Sequence, residues 1–153
     1  MDIVFYIGFM ASGKSTLGAA DALKTGKRFV DLDQAISERT GMPTWQFISK
    51  NGEKAFRKIE RDLLHSIVEE WIKEGKPAQI VACGGGTPCF FDNLEFMKAT
   101  GHVVFIDTPI ETMLERISHH PERWPLASGS DPRALYLSRK KWYEKAHERR
   151  VIR

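Results

Sequence analysis

Along the chain, short and nearly continuous apolar runs alternate with longer stretches in which apolar side chains return every three or four positions. The short runs fall at residues 2–7, 28–32, 79–83 and 102–106. They are too brief for buried helices and too uniformly apolar for half-exposed strands, so they are read as strands of a parallel sheet covered on both faces. Helical spacing fills the intervals. It is clearest over Glu53–Lys73, where Phe56, Ile59, Leu63, Ile67 and Trp71 share one face and Gly75 and Pro77 stop the helix. A second pattern covers residues 17–23, and a third begins near Pro109 with Ile110, Met113, Leu114 and Ile117. Strand–helix alternation of this kind predicts an α/β fold, a three-layer sandwich around a parallel sheet of four to five strands.

Length adds that all this belongs to one domain, residues 1–153, with no repeat, low-complexity tract or linker. A net charge of +3, with Lys and Arg scattered among acids, gives no basic run for nucleic acid; a phosphorylated small molecule accounts for it as well. Trp45, Trp71, Trp124 and Trp142 are too dispersed for a base-stacking platform and read as core or lid packing. Cys83 and Cys89 have neither zinc-ligand nor disulfide-framework spacing, and His119-His120 lacks metal-binding partners and reads as helix-end polarity. The N-terminal apolar run is broken by Gly8 and lacks a basic flank, so neither a signal peptide nor a membrane span is expected, and the cytoplasm is the expected compartment.

The chemistry gathers where the predicted strands end, the place where open α/β sheets bind ligands. The first strand runs into Gly8-Phe-Met-Ala-Ser-Gly-Lys-Ser15, a Gly-x-x-x-x-Gly-Lys-Ser phosphate-binding loop. Its backbone N–H groups are expected to curl around phosphates, Lys14 to span the outer ones and Ser15 to ligate Mg²⁺. Gly8, Ala11, Ser12, Gly13, Lys14, Ser15 and Thr16 are thus the expected ATP-binding set. The second strand ends in Asp31-Leu32-Asp33. Two-residue spacing turns both carboxylates to one side while strand geometry persists, so that one can serve the metal and the other can accept a proton from a hydroxyl. Asp33 could instead simply cap the helix that follows. The third strand runs into Gly84, Gly85 and Gly86, whose bare backbone admits an oxygen-rich ligand or forms a flexible turn. Arg57 and Arg139 sit on helices where a solvated arginine is the ordinary expectation. Residues 119–132, rich in proline and polar side chains, read as a mobile lid or a plain surface loop, and Arg123 within them suits a cation that arrives on closure. A GTPase switch is excluded, since the chain has no Asp-x-x-Gly element and no Asn-Lys-x-Asp guanine reader.

These residues, taken in order, resemble the shikimate kinase family over nearly the whole length. The likeness is carried by residues 8–15, by Asp31-Leu-Asp33 with Ile36 and Glu38-Arg-Thr-Gly41, by Gly52-Glu53 with Phe56-Arg57 and Glu60, and by the glycine triplet. The resemblance implies a small P-loop kinase of nucleoside-monophosphate-kinase-like fold, with ATP and Mg²⁺, a mobile lid and an acceptor-binding helical region over about 33–61. It implies that Asp33, Arg57, Arg139, Gly84, Gly85 and Gly86 hold shikimate, with both arginines on its carboxylate and Asp33 as base. Ser15 and Asp31 would serve the metal, and Lys14 and Arg123 the moving phosphoryl group. A monomer without nucleic acid or membrane partners is expected. Another small-molecule kinase such as a gluconate kinase, or a catalytically impaired relative, is the alternative. Two departures stand out. The family's lid reads Arg-Pro-Leu, whereas Arg123-Trp124-Pro125-Leu126 either shifts the arginine by one place or replaces it with Trp124. The sequence also stops ten residues after Tyr143, where relatives continue through a fifth strand and an adenine-contacting loop, so that strand is expected to be frayed or adenine binding weakened.

Overall fold

In the computed structural model, which describes residues 2–124 and 131–153, the strands are β1 (Ile3–Ile7), β2 (Arg28–Asp31), β3 (Gln79–Ala82), β4 (His102–Asp107) and β5 (Glu148–Val151). They pair in the order β2-β3-β1-β4-β5, every pair parallel. Helices α1 (Lys14–Thr25), α2 (Leu32–Thr40), α3 (Thr44–Asn51), α4 (Glu53–Lys73), α5 (Asn93–Thr100), α6 (Ile110–His119) and α7 (Pro132–Tyr143) make the connections. Short 3₁₀ turns occupy Thr87–Cys89 and Pro121–Arg123.

Successive side chains of a strand point to opposite faces, and here each face meets its own core. Phe5, Ile7, Val81, Val103 and Phe105 pack into a large cluster with Phe56, Leu64, Met97 and Tyr143. Tyr6, Ile80, Val104 and Ile106 pack on the other face against Ala22 of α1, with Leu17 and Phe29. Both faces being covered explains why the strands read as continuous apolar runs. Helix α1 lies close on the sheet because residue 18 is glycine: a Cβ there would stand 2.8 Å from the Phe29 ring.

Two expectations change. The fifth strand forms beside β4, although its Glu-Arg-Arg-Val sequence has no apolar signature. It is an edge strand held by charge: Arg149 pairs with Asp107, Arg150 with Asp21 at 2.7 Å, and the Ile152 N–H bonds the Asp107 carbonyl at 2.9 Å. On α4 the buried stripe runs through Phe56, Glu60, Leu64, Val68 and Trp71, with Arg57 beside it, while Ile59, Leu63 and Ile67 are only partly buried. The helix is rotated from its apolar expectation because it turns Arg57 and Glu60 inward. The lid lies only in part within the described residues: α6 reaches His119, a turn covers Pro121–Arg123, and Asp131 caps α7, while residues 125–130 lie outside them. Among the described residues no helix is long and apolar enough to cross a membrane.

Candidate active site

The carboxyl ends of β1, β2 and β3 open into a cleft of about 470 Å³. The phosphate loop forms one wall. Gly13 adopts φ +92° and caps α1 without a side chain, and Ala11 is also left-handed at φ +62°. These bends curl the loop into the first turn of α1, whose N-terminus favours an anion. Gly8 stands at the loop's base: at φ +153° its Cβ would lie 2.7 Å from the Ile106 carbonyl oxygen. Lys14 is only 7 % exposed and its Nζ donates to the Gly8 and Phe9 carbonyls, 2.8 Å each. Burial lowers its pKa to about 8, against the raising influence of Asp33. The loop is braced from outside by the Thr108 hydroxyl, which donates to the Ser12 carbonyl at 2.7 Å, and by Arg116, whose Nη1 donates to the Ala11 carbonyl at 2.8 Å. Ser15 and Thr16 complete this wall.

The opposite wall is assembled from distant elements. Asp31 and Asp33 both face the cleft, but not through strand alternation, since β2 ends at Asp31 and Asp33 already lies in the first turn of α2. Nor does Asp33 cap that helix. Asp31 does so, accepting from the Gln34 N–H at 3.2 Å, and Asp33 makes no such bond. Desolvation, and then the charges of Glu60 and Asp31, push the Asp33 pKa up to about 7 against the pull of Lys14 and Arg57.

Arg57 is 4 % exposed, unlike an ordinary helix arginine. Its Nη1 donates to Glu60 at 3.0 Å, and Nε and Nη2 donate to Glu53 at 3.2 and 3.1 Å. Its guanidinium lies 4.2 Å from the Phe90 ring centroid and 5.0 Å from that of Phe56. A guanidinium carries five N–H groups, so one on each terminal nitrogen remains for a ligand. Arg139 is equally buried, and its Nη1 has no hydrogen-bond partner among the described residues, an orphan donor that a bound anion would satisfy.

Each glycine of the triplet admits a different neighbour. A Cβ on Gly84 would stand 3.0 Å from Glu60 and 3.1 Å from Asp33; one on Gly85 would meet the Met10 backbone nitrogen at 2.9 Å; one on Gly86 would strike Arg57 Nη2 at 2.5 Å. The triplet is therefore less a flexible turn than the gap through which three elements reach one ligand. Tyr143 fixes it by donating to the Gly85 carbonyl at 2.5 Å.

Every expected residue except Gly8 thus lines this cleft, Arg123 included. Glu60, fully buried between Arg57 and Thr87, entered the reading only as part of a motif; its place three residues beyond Arg57 on one helix face was the available signal. Trp124 lines both this cleft and a second, more apolar cavity of about 700 Å³. The second cavity adjoins the phosphate loop and is lined by Leu17, Ala20, Arg116, His119, His120 and Ile152. His119 ends α6 and His120 caps it, as expected. Both cysteines are free, and no three His, Cys, Asp or Glu side chains among the described residues are grouped to hold a metal by themselves. A hydroxyl and a carboxylate beside a phosphate loop suit Mg²⁺, which binds chiefly through phosphate oxygens and water.

Comparison with known proteins agrees with this construction. The family model described as shikimate kinase matches residues 10–153. The shikimate kinase of Parabacteroides distasonis is 37 % identical over 129 residues, 84 % of this chain and 71 % of that protein. The crystal structure of the shikimate kinase from Bacteroides thetaiotaomicron superposes with a TM-score of 0.80 at 32 % identity, covering 96 % of this chain and 84 % of that one. That of Acinetobacter baumannii in complex with shikimate gives 0.88 at 30 % identity, covering 100 % and 84 %. With a phosphate loop, two inward-turned arginines and a buried aspartate sharing one cleft, and with likeness of this extent, the chain belongs to the shikimate kinase family.

Proposed function

We propose that this protein transfers the γ-phosphoryl group of ATP to the 3-hydroxyl of shikimate, giving shikimate 3-phosphate and ADP. The observation that carries the reading is the convergence, in one cleft, of Arg57, Arg139 and Asp33 upon the phosphate loop. Two buried guanidiniums, one with an unsatisfied donor, match the carboxylate of a rigid hydroxy-acid. Asp33, held near neutral pH, takes the hydroxyl proton as the oxygen attacks phosphorus and the bond to the β-phosphate oxygen breaks. Loop amides bind the phosphates, and Lys14 leaves the Gly8 and Phe9 carbonyls to follow the transferred charge. Ser15 and Asp31 would hold Mg²⁺, Asp31 through water, and the ion would supply charge neutralisation to the phosphates. Gly84, Gly85 and Gly86 keep the acceptor wall open, and Arg123 is the lid cation, with Trp124 beside it closing the cleft. The apolar cavity by Arg116 takes the nucleoside end of ATP.

The chain would act as one kinase domain, with an acceptor region at about 33–61 and a lid at about 119–132, of which residues 125–130 lie outside the described ones. A monomer is the state proposed. The test is ADP release measured with shikimate, with gluconate and with no acceptor. Turnover confined to shikimate is expected; turnover with gluconate alone would overturn the assignment.

A further inference from the structure

Thr87 follows the glycine triplet directly and is completely buried. Its hydroxyl accepts the Gly84 N–H at 2.8 Å and donates to Glu60 Oε2 at 2.8 Å. Glu60 Oε1 in turn accepts from Arg57 Nη1 at 3.0 Å. A hydroxyl has one proton, and the Gly84 amide takes up an acceptor site, so the Thr87 proton is committed to Glu60. One oxygen of Glu60 is thereby tied to the triplet and the other to the acceptor arginine.

The tie also separates like charges. A Cβ on Gly84 would lie 3.0 Å from Glu60 Oε2 and 3.1 Å from Asp33 Oδ1, so the two carboxylates flank the same Cα. Without the hydroxyl, no other hydrogen bond among the described residues holds Oε2 in place; Glu60 can turn about its last torsion, leaving the Arg57 guanidinium aimed by the half-exposed Glu53 alone. We infer that Thr87 is a positioning residue for the acceptor, acting through Glu60 to aim the Arg57 guanidinium at the substrate carboxylate.

A purely architectural role is poorly supported by the contacts. The Thr87 backbone is held independently of its hydroxyl, by the Gly84 carbonyl at 3.2 Å and by Asn93 Nδ2, which donates to the Thr87 carbonyl at 2.9 Å. Valine keeps the β-branched shape and its restricted χ1, removing only the hydroxyl.

The inference rests on the function proposed above, and its test separates the two. Steady-state kinetics and calorimetric shikimate binding are measured for the wild type, Thr87→Val and Thr87→Ser, with a thermal melt for each. Thr87→Val is expected to raise KM and Kd for shikimate about tenfold, the scale of one buried group left unpaired, with KM for ATP within about twofold of wild type. Thr87→Ser should restore both. In a Glu60→Gln background Thr87→Val should add almost nothing. If Thr87→Val does not fold, Thr87→Ala against Thr87→Ser makes the same comparison. Unchanged shikimate KM in the variant, failure of serine to rescue, or full additivity with Glu60→Gln would overturn the inference. A wild type inert toward shikimate defeats the proposed function instead.

Discussion

The two walls of the cleft are built on opposite principles. The nucleotide-facing wall is one contiguous stretch, residues 10–16, whose working groups are mostly backbone amides. The acceptor-facing wall takes Asp33 from α2, Arg57 and Glu60 from α4, the glycine triplet from the exit of β3 and Arg139 from α7. Backbone geometry can be imposed by a few glycines in sequence, so the first wall is set largely within its own stretch, with Thr108 and Arg116 as outside braces. Side-chain grips depend on every element that carries them, so the second should fail in graded ways when any one partner moves.

The most severe test of that contrast is Asp33→Asn. It should lower kcat by about 10²–10⁴-fold while ATP binding, followed by fluorescent-nucleotide displacement, stays near wild type. A near-normal kcat would remove Asp33 as the base. Next in size, Arg57→Ala strands the fully buried Glu60, and loss of one member of such a pair costs about 3–5 kcal/mol. That cost divides between stability and the acceptor, so KM for shikimate should rise by about 10²-fold and KM for ATP little. Gly86→Ala places a methyl 2.5 Å from Arg57 Nη2, and about a tenfold rise in shikimate KM is expected from the displaced guanidinium. Equal damage to both substrates from either variant would erase the distinction between the walls.

The comparison can be sharpened by pH. In the free protein a carbon-13 titration of the Asp33 carboxyl should have its midpoint at about 7, well above an ordinary aspartate. Since the base acts ionised, activity is lost as pH falls through the raised value and recovered above it. Glu60→Gln removes one of the charges that raises it, and the midpoint should move down. The smallest effect concerns neither wall. Burial would raise the Asp21 pKa, but hydrogen bonds from Tyr6 and Arg150 more than offset this and hold it below the ordinary value. Its contribution to stability is present above the unfolded-state pKa and lost as pH falls through the folded one. Asp21→Asn should lower Tm by a few degrees near neutral pH, about 1 kcal/mol for a pair of this exposure, and leave both KM values unchanged.

Much of this is legible in the sequence. Four strands were readable because both faces of the sheet are covered, which leaves nearly unbroken apolar runs. The phosphate loop was readable because its function resides in consecutive residues. Asp31 and Asp33 were expected in one cleft and both line it, yet the geometric ground was mistaken: the strand ends between them and Asp31 spends an oxygen on capping. The fifth strand was expected only from the resemblance, and as frayed, because an edge strand held by Arg149 and Arg150 carries no apolar pattern.

What the order of amino acids determined alone is whatever one segment can express by itself: the sheet's apolar runs, the helix Glu53–Lys73, and a loop whose glycines permit the bends that phosphate binding needs. Tertiary structure decided which charged side chains are ligands. Arg57 and Arg139 have the local setting of ordinary solvated residues, and only the rotation of α4, the anchoring of the triplet by Tyr143 and the passage left open at Gly86 bury them at the cleft. A guanidinium acquires that role from neighbours far away in the chain, and no short window of sequence contains them.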